Sequence, residues 1–97
     1  MNMRKLLKQA QEMQDKMHRE LGDTHAEASV GGGMVAVKMD GHKHLLAVKI
    51  DPEVIDPEDP GMLEDLIVAA VNEASRKMDD TLREKLGMMA ASMPSIL

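Results

Sequence analysis

The stretch GGGMVAVKMDGHKHLLAVKI, at residues 31–50, contains two apolar runs separated by a turn signal. Three successive glycines cannot sustain a regular ladder and are typical of a bend, so they separate a short run at Ala26–Val30 from a strand at Met34–Met39. Asp40-Gly41 predicts a two-residue hairpin turn because both residue types tolerate positive φ. The segment His42–Ile50 predicts the returning strand. The centre of the chain is therefore expected to be a small antiparallel sheet.

An amphipathic helix is predicted before this sheet. Apolar residues recur at alternating steps of three and four from Met3 to Leu21, and Gly22-Asp23 provides a C-terminal cap. At about 100° per residue, four basic residues fall on the opposite side of the same helical wheel: Lys5, Lys8, Lys16 and Arg19. We call these four residues the basic stripe. One face of the helix is thus a methionine-leucine seam and the other is mostly basic.

A second, longer helix is predicted after the sheet. Asp56-Pro57 and Asp59-Pro60 each place an N-cap acceptor before a proline suited to the first helical position. From Met62 to Met89 apolar residues recur at helical spacing for about seven turns. One small sheet cannot cover a seam of that length, so the surplus predicts a second chain. Residues 1–90 are expected to form one domain and residues 91–97 a flexible C-terminal tail.

Composition limits the possible functions. The chain has 97 residues, a length that supports one domain or a half-domain completed by a partner. It has no Cys, Phe, Tyr or Trp, which excludes disulfides, sulfur-based zinc sites and aromatic platforms for stacking bases. If it binds nucleic acid, it does so by charge and shape. Its N-terminal segment resembles neither a secretory signal nor a membrane span, so a soluble cytoplasmic protein is expected.

The net charge of −5 comes from one segment. Residues 51–66 contain seven acidic residues and no basic one, and we call them the acidic connector: Asp51, Glu53, Asp56, Glu58, Asp59, Glu64 and Asp65. Acidic side chains are favoured at a helix N-terminus by the macrodipole, so the connector has a structural explanation.

No catalytic or metal site is expected. His42 and His44 would share a strand face as a two-point metal ligand, but no third ligand follows at metal spacing, and exposed paired histidines are commonly surface residues. The glycine run opens a strand where a phosphate-binding loop would open a helix. The serines and threonines have no local nucleophile motif. We therefore expect a protein that is not an enzyme, with no cofactor, metal or small-molecule substrate.

The basic stripe is the only feature of the sequence that points to a function. A single basic helix face is as consistent with ordinary solvation as with phosphate binding. Two copies held by a shared core would instead form a larger positive surface that can follow a duplex backbone. In the second helix the basic residues Arg76, Lys77, Arg83 and Lys85 are interleaved with Asp79, Asp80 and Glu84, so much of their charge is locally balanced.

Three stretches of the sequence are similar to those of a known family: KQAQEMQDKM at Lys8–Met17, GGGMVAVKMDGHKHLLAVKIDPEVI at Gly31–Ile55, and MLEDLIVAAVNEASRK at Met62–Lys77. In these stretches the chain resembles the YbaB/EbfC family of nucleoid-associated proteins. Together they cover most of the chain. The ending SMPSIL lacks the longer glycine- and proline-rich C-terminus of some family members.

The resemblance implies an α+β fold, an α-β-β-β-α chain that dimerises through its sheets and core with paired helices projecting like tweezers. It further implies a cytoplasmic, nucleoid-associated homodimer that binds duplex DNA, changes its shape and affects gene expression, nucleoid organisation or DNA protection. Family DNA binding is attributed to the helical arms. The candidate DNA-binding residues are therefore the basic residues of both helices: Arg4, Lys5, Lys8, Lys16, Arg19, Arg76, Lys77, Arg83 and Lys85.

Two alternatives stay open at this point. A dimeric adaptor could bind a basic protein partner through the acidic connector. The first helix could instead lie on an anionic membrane, but the absence of Trp and Phe and the narrow apolar face argue against this.

Overall fold

The chain forms an α-β-β-β-α arrangement, as the resemblance implies. The computed structural model describes residues 2–92, apart from the side chains of Ala90 and Ser92. The elements are helix α1, strands β1 to β3, a short 3-10 helix and helix α2, with these bounds: α1 Met3–Asp23, β1 His25–Val30, β2 Val35–Asp40, β3 Leu45–Ile50, the 3-10 helix Pro52–Val54, and α2 Pro60–Ser92. The three strands form one antiparallel sheet in the order β1-β2-β3.

The bend between β1 and β2 is confirmed. Gly31, Gly32 and Gly33 all adopt positive φ, at 64°, 68° and 95°. That backbone conformation is strained for residues with a Cβ. Val30 pairs with Val35 directly across this bend, and the two strands then pair without a break to His25 and Asp40.

The predicted two-residue turn between β2 and β3 is wrong. The loop runs over residues 41–44, and β3 begins at Leu45, three residues later than expected. The only non-glycine residue with positive φ in the described part of the chain is Lys43, at 64°. The Asp40 carboxylate lengthens the loop because it accepts hydrogen bonds from the backbone N–H groups of His42 and His44, at 2.9 and 3.0 Å. The two histidines therefore lie in the loop and not on a shared strand face.

The core lies between α2 and the first two strands. Eight buried side chains form it: Ala26, Ala28, Val35, Val37, Met39, Ala70, Ala74 and Met78. The small residues of α2 let the helix approach the sheet closely, and Met78 fills the remaining volume. Strand β3 lies outside this core. Val48 pairs with the buried Val37 and yet is 44% exposed, because α2 packs on β1 and β2.

Helix α1 projects from the rest of the molecule. Asn2 caps it by accepting a hydrogen bond from the N–H of Arg4 at 3.0 Å, and none of its 21 residues is buried. The radius of gyration is 19.2 Å, with extents of 68 × 26 × 15 Å. A compact chain of this length would have a radius of about 13 Å. The two helices are therefore arms that extend beyond the sheet.

Helix α2 begins and ends close to the predicted limits. Asp59 precedes Pro60 and its carboxylate accepts a hydrogen bond from the N–H of Met62 at 3.4 Å, as expected of an N-cap. The helix has 33 residues, because it starts two residues before and ends three residues after the predicted span Met62–Met89, and it includes Ala91 and Ser92. Residues 93–97 of the predicted tail lie outside the described residues.

Candidate nucleic-acid interface

The basic residues of α1 are available to a ligand. Because no residue of α1 is buried, every member of the basic stripe and the neighbouring Arg4 are exposed to solvent. Within residues 2–92, none of these five side chains forms an ion pair with an acidic group. Their charge is thus not neutralised inside the chain.

Two of the four candidate residues on α2 are held in ion pairs. Arg76 bridges Glu73 and Asp80, and Arg83 reaches the same Asp80 at 3.4 Å. The Arg76 guanidinium lowers the pKa of Glu73, and Glu73 in turn raises the pKa of Arg76. The local charge balance expected from the sequence is therefore present on this part of α2.

The other two candidates on α2 make contacts with distant elements. Lys77 donates a hydrogen bond to the backbone carbonyl of Glu27 at 3.2 Å. Lys85 donates to the Thr24 hydroxyl at 2.7 Å, and that hydroxyl donates to the carbonyl of Glu20 at 2.6 Å. Lys85 therefore links the end of α1 to α2, a role that sequence reasoning missed.

The loop after β2 anchors both arms. The N–H of Gly41 donates to the carbonyl of Leu21 at 2.8 Å, and the His42 Nε2 lies 3.0 Å from the carbonyl of His18. The ammonium of Lys43 lies 2.6 Å from a carboxylate oxygen of Asp79 on α2. We call residues 41–44 the anchoring loop. No sequence motif marked these contacts, because each joins residues more than 15 positions apart.

An apolar groove lies between the arms. It has a volume of about 240 Å³. Its lining is mostly aliphatic, from Met17 and Leu21 on one side and Leu82, Leu86 and Met89 on the other, with Lys85 near its edge. The last part of the seam predicted on α1, Met17 and Leu21, thus faces the C-terminal half of α2, whereas Met3, Leu7 and Met13 are exposed.

The acidic connector begins at the opposite end of the sheet from α1, and its last two acidic residues, Glu64 and Asp65, lie in the first turns of α2. The N–H of Asp51 donates to the carbonyl of Met34 at 2.8 Å, so the connector starts beside the glycine bend. Helix α1 meets the sheet at Gly41, beyond the other end of β2. Six residues of strand separate these points by about 20 Å.

The described residues contain no group of three or more donors arranged to hold a metal ion. The imidazoles of His18 and His42 lie 4.4 Å apart and those of His42 and His44 5.8 Å apart. None of the helices within residues 2–92 is both long and apolar enough to cross a bilayer.

Comparison with known proteins gives a consistent result. The sequence model of the YbaB/EbfC DNA-binding family matches residues 1–93. A protein of Alkaliphilus metalliredigens named nucleoid-associated protein is 43% identical, over 95% of this chain and 83% of that protein. A protein of the same name from Chloroflexus aurantiacus is 39% identical over 99% of both chains.

A solved structure is similar in fold. The crystal structure of an uncharacterized protein from Helicobacter pylori superposes with a TM-score of 0.71 at 22% identity, covering 93% of this chain and 98% of that chain. The arrangement of helices and strands is therefore one that a solved protein also adopts.

Proposed function

Because the chain belongs to the YbaB/EbfC DNA-binding family, we propose that it is a nucleoid-associated protein that binds duplex DNA as a homodimer. It binds mainly through phosphates, and its preference among sequences comes from DNA shape more than from base hydrogen bonds. Binding alters DNA conformation, with effects on nucleoid organisation, DNA protection and gene expression. The observation that carries the proposal is the unpaired basic stripe on an arm with no buried residue.

A homodimer is supported by apolar surface that the single chain leaves uncovered. In β3, Leu45, Leu46 and Val48 are each 44–47% exposed, and Val68 on α2 is 60% exposed. Monomeric soluble proteins rarely expose contiguous apolar patches larger than a few hundred Å². A second copy packed on this face would complete the core and hold two basic stripes at a fixed separation.

The start of the acidic connector does not oppose DNA binding by the basic stripe on α1. It lies about 20 Å from the base of α1, and the Debye length is about 10 Å at 0.1 M salt. Three of its carboxylates also accept hydrogen bonds from backbone N–H groups two or three residues later: Asp51, Asp56 and Asp59. These bonds account for part of the connector without a basic protein partner.

The candidate residues contribute unequally in this proposal. Arg4 and the basic stripe provide the main phosphate contacts. Arg76 and Arg83 contribute less because their charges are shared with Glu73 and Asp80. Lys77 and Lys85 act partly through their contacts with Glu27 and Thr24.

The test is binding to short duplexes of two unrelated sequences across a salt series. We expect the variant K5Q/K8Q/K16Q/R19Q to bind both duplexes more weakly and to lower the salt slope by about 1 for each lost phosphate contact. The control R76Q/R83Q removes charges that are already paired and is expected to change affinity less. A folded wild-type dimer that binds neither duplex at low salt would overturn the proposal and favour the adaptor alternative.

A further inference from the structure

The outer face of the sheet, opposite α2, carries a second basic surface. A shallow depression of about 360 Å³ lies there. Alternation along the strands places Lys38 and Lys49 on this face, since their strand neighbours Val37 and Val48 lie on the side of the sheet where α2 packs. Lys77 reaches the same depression from α2 by donating to the Glu27 carbonyl at the edge of β1.

The floor of this depression is made of small residues. Ser29 pairs with Ala36 on the neighbouring strand, and Ala36 pairs with Lys49 on the next. Ala47 lies opposite Lys38 in the same way. Because these side chains are short, the depression between the longer lysine side chains stays unfilled.

Its charge is positive and is not neutralised by ion pairs. The three lysines face one acidic side chain, that of Glu27. Within the described part of the chain, none of these lysines takes part in an ion pair, whereas Arg76, Arg83 and Lys43 do. A concave surface with excess lysine charge is complementary to a phosphate backbone.

This face is unsuited to the proposed dimer contact. The cores of protein interfaces are depleted of lysine and glutamate, and here both are present. The uncovered apolar side chains that a second copy needs include Val48, which lies on the same side of the sheet as α2. A second copy that covers Val48 therefore packs on the opposite side of the sheet from the outer face.

We propose that the outer face of the sheet, through Lys38 and Lys49 with Lys77 of α2 at its edge, is a second phosphate-binding surface for duplex DNA, separate from the basic stripe on α1. This inference rests on the proposed function, since it adds contacts to the same ligand. It predicts that a dimer binds more phosphates than its arms alone supply.

The experiment compares duplex binding and its salt dependence for the full-length protein and the variant K38Q/K49Q. We expect the variant to bind at least threefold more weakly and to have a salt slope lower by about 1–2. Circular dichroism and dimer mass, unchanged from wild type, would show that the variant is folded.

A matched pair of single variants separates the surface from net charge. E27Q removes the one carboxylate in the depression, and we expect tighter binding. E58Q changes the net charge equally in the acidic connector, and we expect no change in affinity. Equal effects of the two variants would overturn the proposal, because net charge alone would then explain them.

The outcomes also separate this inference from the proposed function. If wild type binds and the basic-stripe variant is weakened while K38Q/K49Q is not, the second surface is wrong and the function stands. If wild type does not bind any duplex, the proposed function fails, and this inference fails with it.

Discussion

At the residue scale, the structure explains why position 41 is glycine, and the reason differs from the one that the turn signal suggested. The sequence placed it in a tight hairpin because glycine tolerates positive φ. In the structure it is needed for close approach, because a Cβ at this position would lie 2.5 Å from the carbonyl oxygen of Leu21. Local turn preferences could not show this, since Leu21 is 20 positions away.

We expect Gly41→Ala to destabilise the protein by about 2 kcal/mol or more, because the backbone of α1 or of the anchoring loop must shift. Gly87→Ala is the control. Its Cβ meets nothing within 4 Å in a helix, so it should stabilise the protein by up to about 1 kcal/mol. Urea unfolding of both variants measures the difference, and equal stabilities would contradict the close approach.

Asp40 is expected to make the stability of the folded protein fall at acidic pH. The backbone N–H of His44, and then that of His42, hold the pKa of this buried carboxyl below its ordinary value of 3.8. The folded state therefore binds the proton less readily than the unfolded chain. The stabilisation is fully present above about pH 4 and is lost as pH falls through the lowered folded pKa.

We expect Asp40→Asn to keep an oxygen for both N–H groups and to remove this part of the acid transition. Asp40→Ala leaves both groups without that acceptor and should lower the melting temperature at pH 7 further. Thermal unfolding between pH 2.5 and 7 tests whether the melting temperature at pH 7 falls from wild type to the Asn variant and further to the Ala variant. An Asn variant with the same pH dependence as wild type would show that other carboxyls cause it.

At the element scale, the helices could be predicted from the spacing of their apolar residues, whereas the contacts of the anchoring loop could not. The helices follow from apolar spacing, and the start of α2 follows from Asp59-Pro60, because these signals lie within a few residues. The anchoring loop depends on contacts of Gly41 with the Leu21 carbonyl of α1 and of Lys43 with Asp79 of α2. Likewise, the basic stripe was visible from its spacing, while the link from Lys85 to Thr24 was not.

Helix α1 should be the least protected element against hydrogen exchange. It has no buried residue, whereas Val35, Ala70 and Met78 in the core are fully buried. Local opening of α1 therefore exposes little apolar surface and requires little free energy. We expect its amides to exchange first in mass spectrometry, and added DNA to slow them. Protection equal to that of β2 without DNA would mean that a partner covers α1.

At the scale of the whole molecule, the sequence indicated an incomplete core but not where the uncovered surface lies. The surplus of apolar seam pointed to a second chain. The structure adds that the uncovered surface includes β3, because α2 packs on the other two strands.

Val48→Asp should therefore weaken the dimer. We expect wild type to have twice the 10.7 kDa mass of the chain in light scattering at micromolar concentration, and the variant to shift toward the single-chain mass. Lys49→Asp, on the other face of β3, is the control and should leave the mass unchanged. A dimer retained by the Val48 variant would place the interface elsewhere.

The anchoring loop holds α1 only at its C-terminal end, so a small tilt at that end moves the N-terminal end of the helix much further. A helix of 21 residues is about 31 Å long, so a tilt of 10° at its base moves its tip by about 5 Å. That displacement is comparable to the spacing of phosphates along a strand, so in the proposed dimer the anchoring loop sets the separation of the two basic stripes. Under the proposed function, substitutions near Gly41 are expected to change which DNA shapes are bound while the lysines proposed to contact phosphates stay the same.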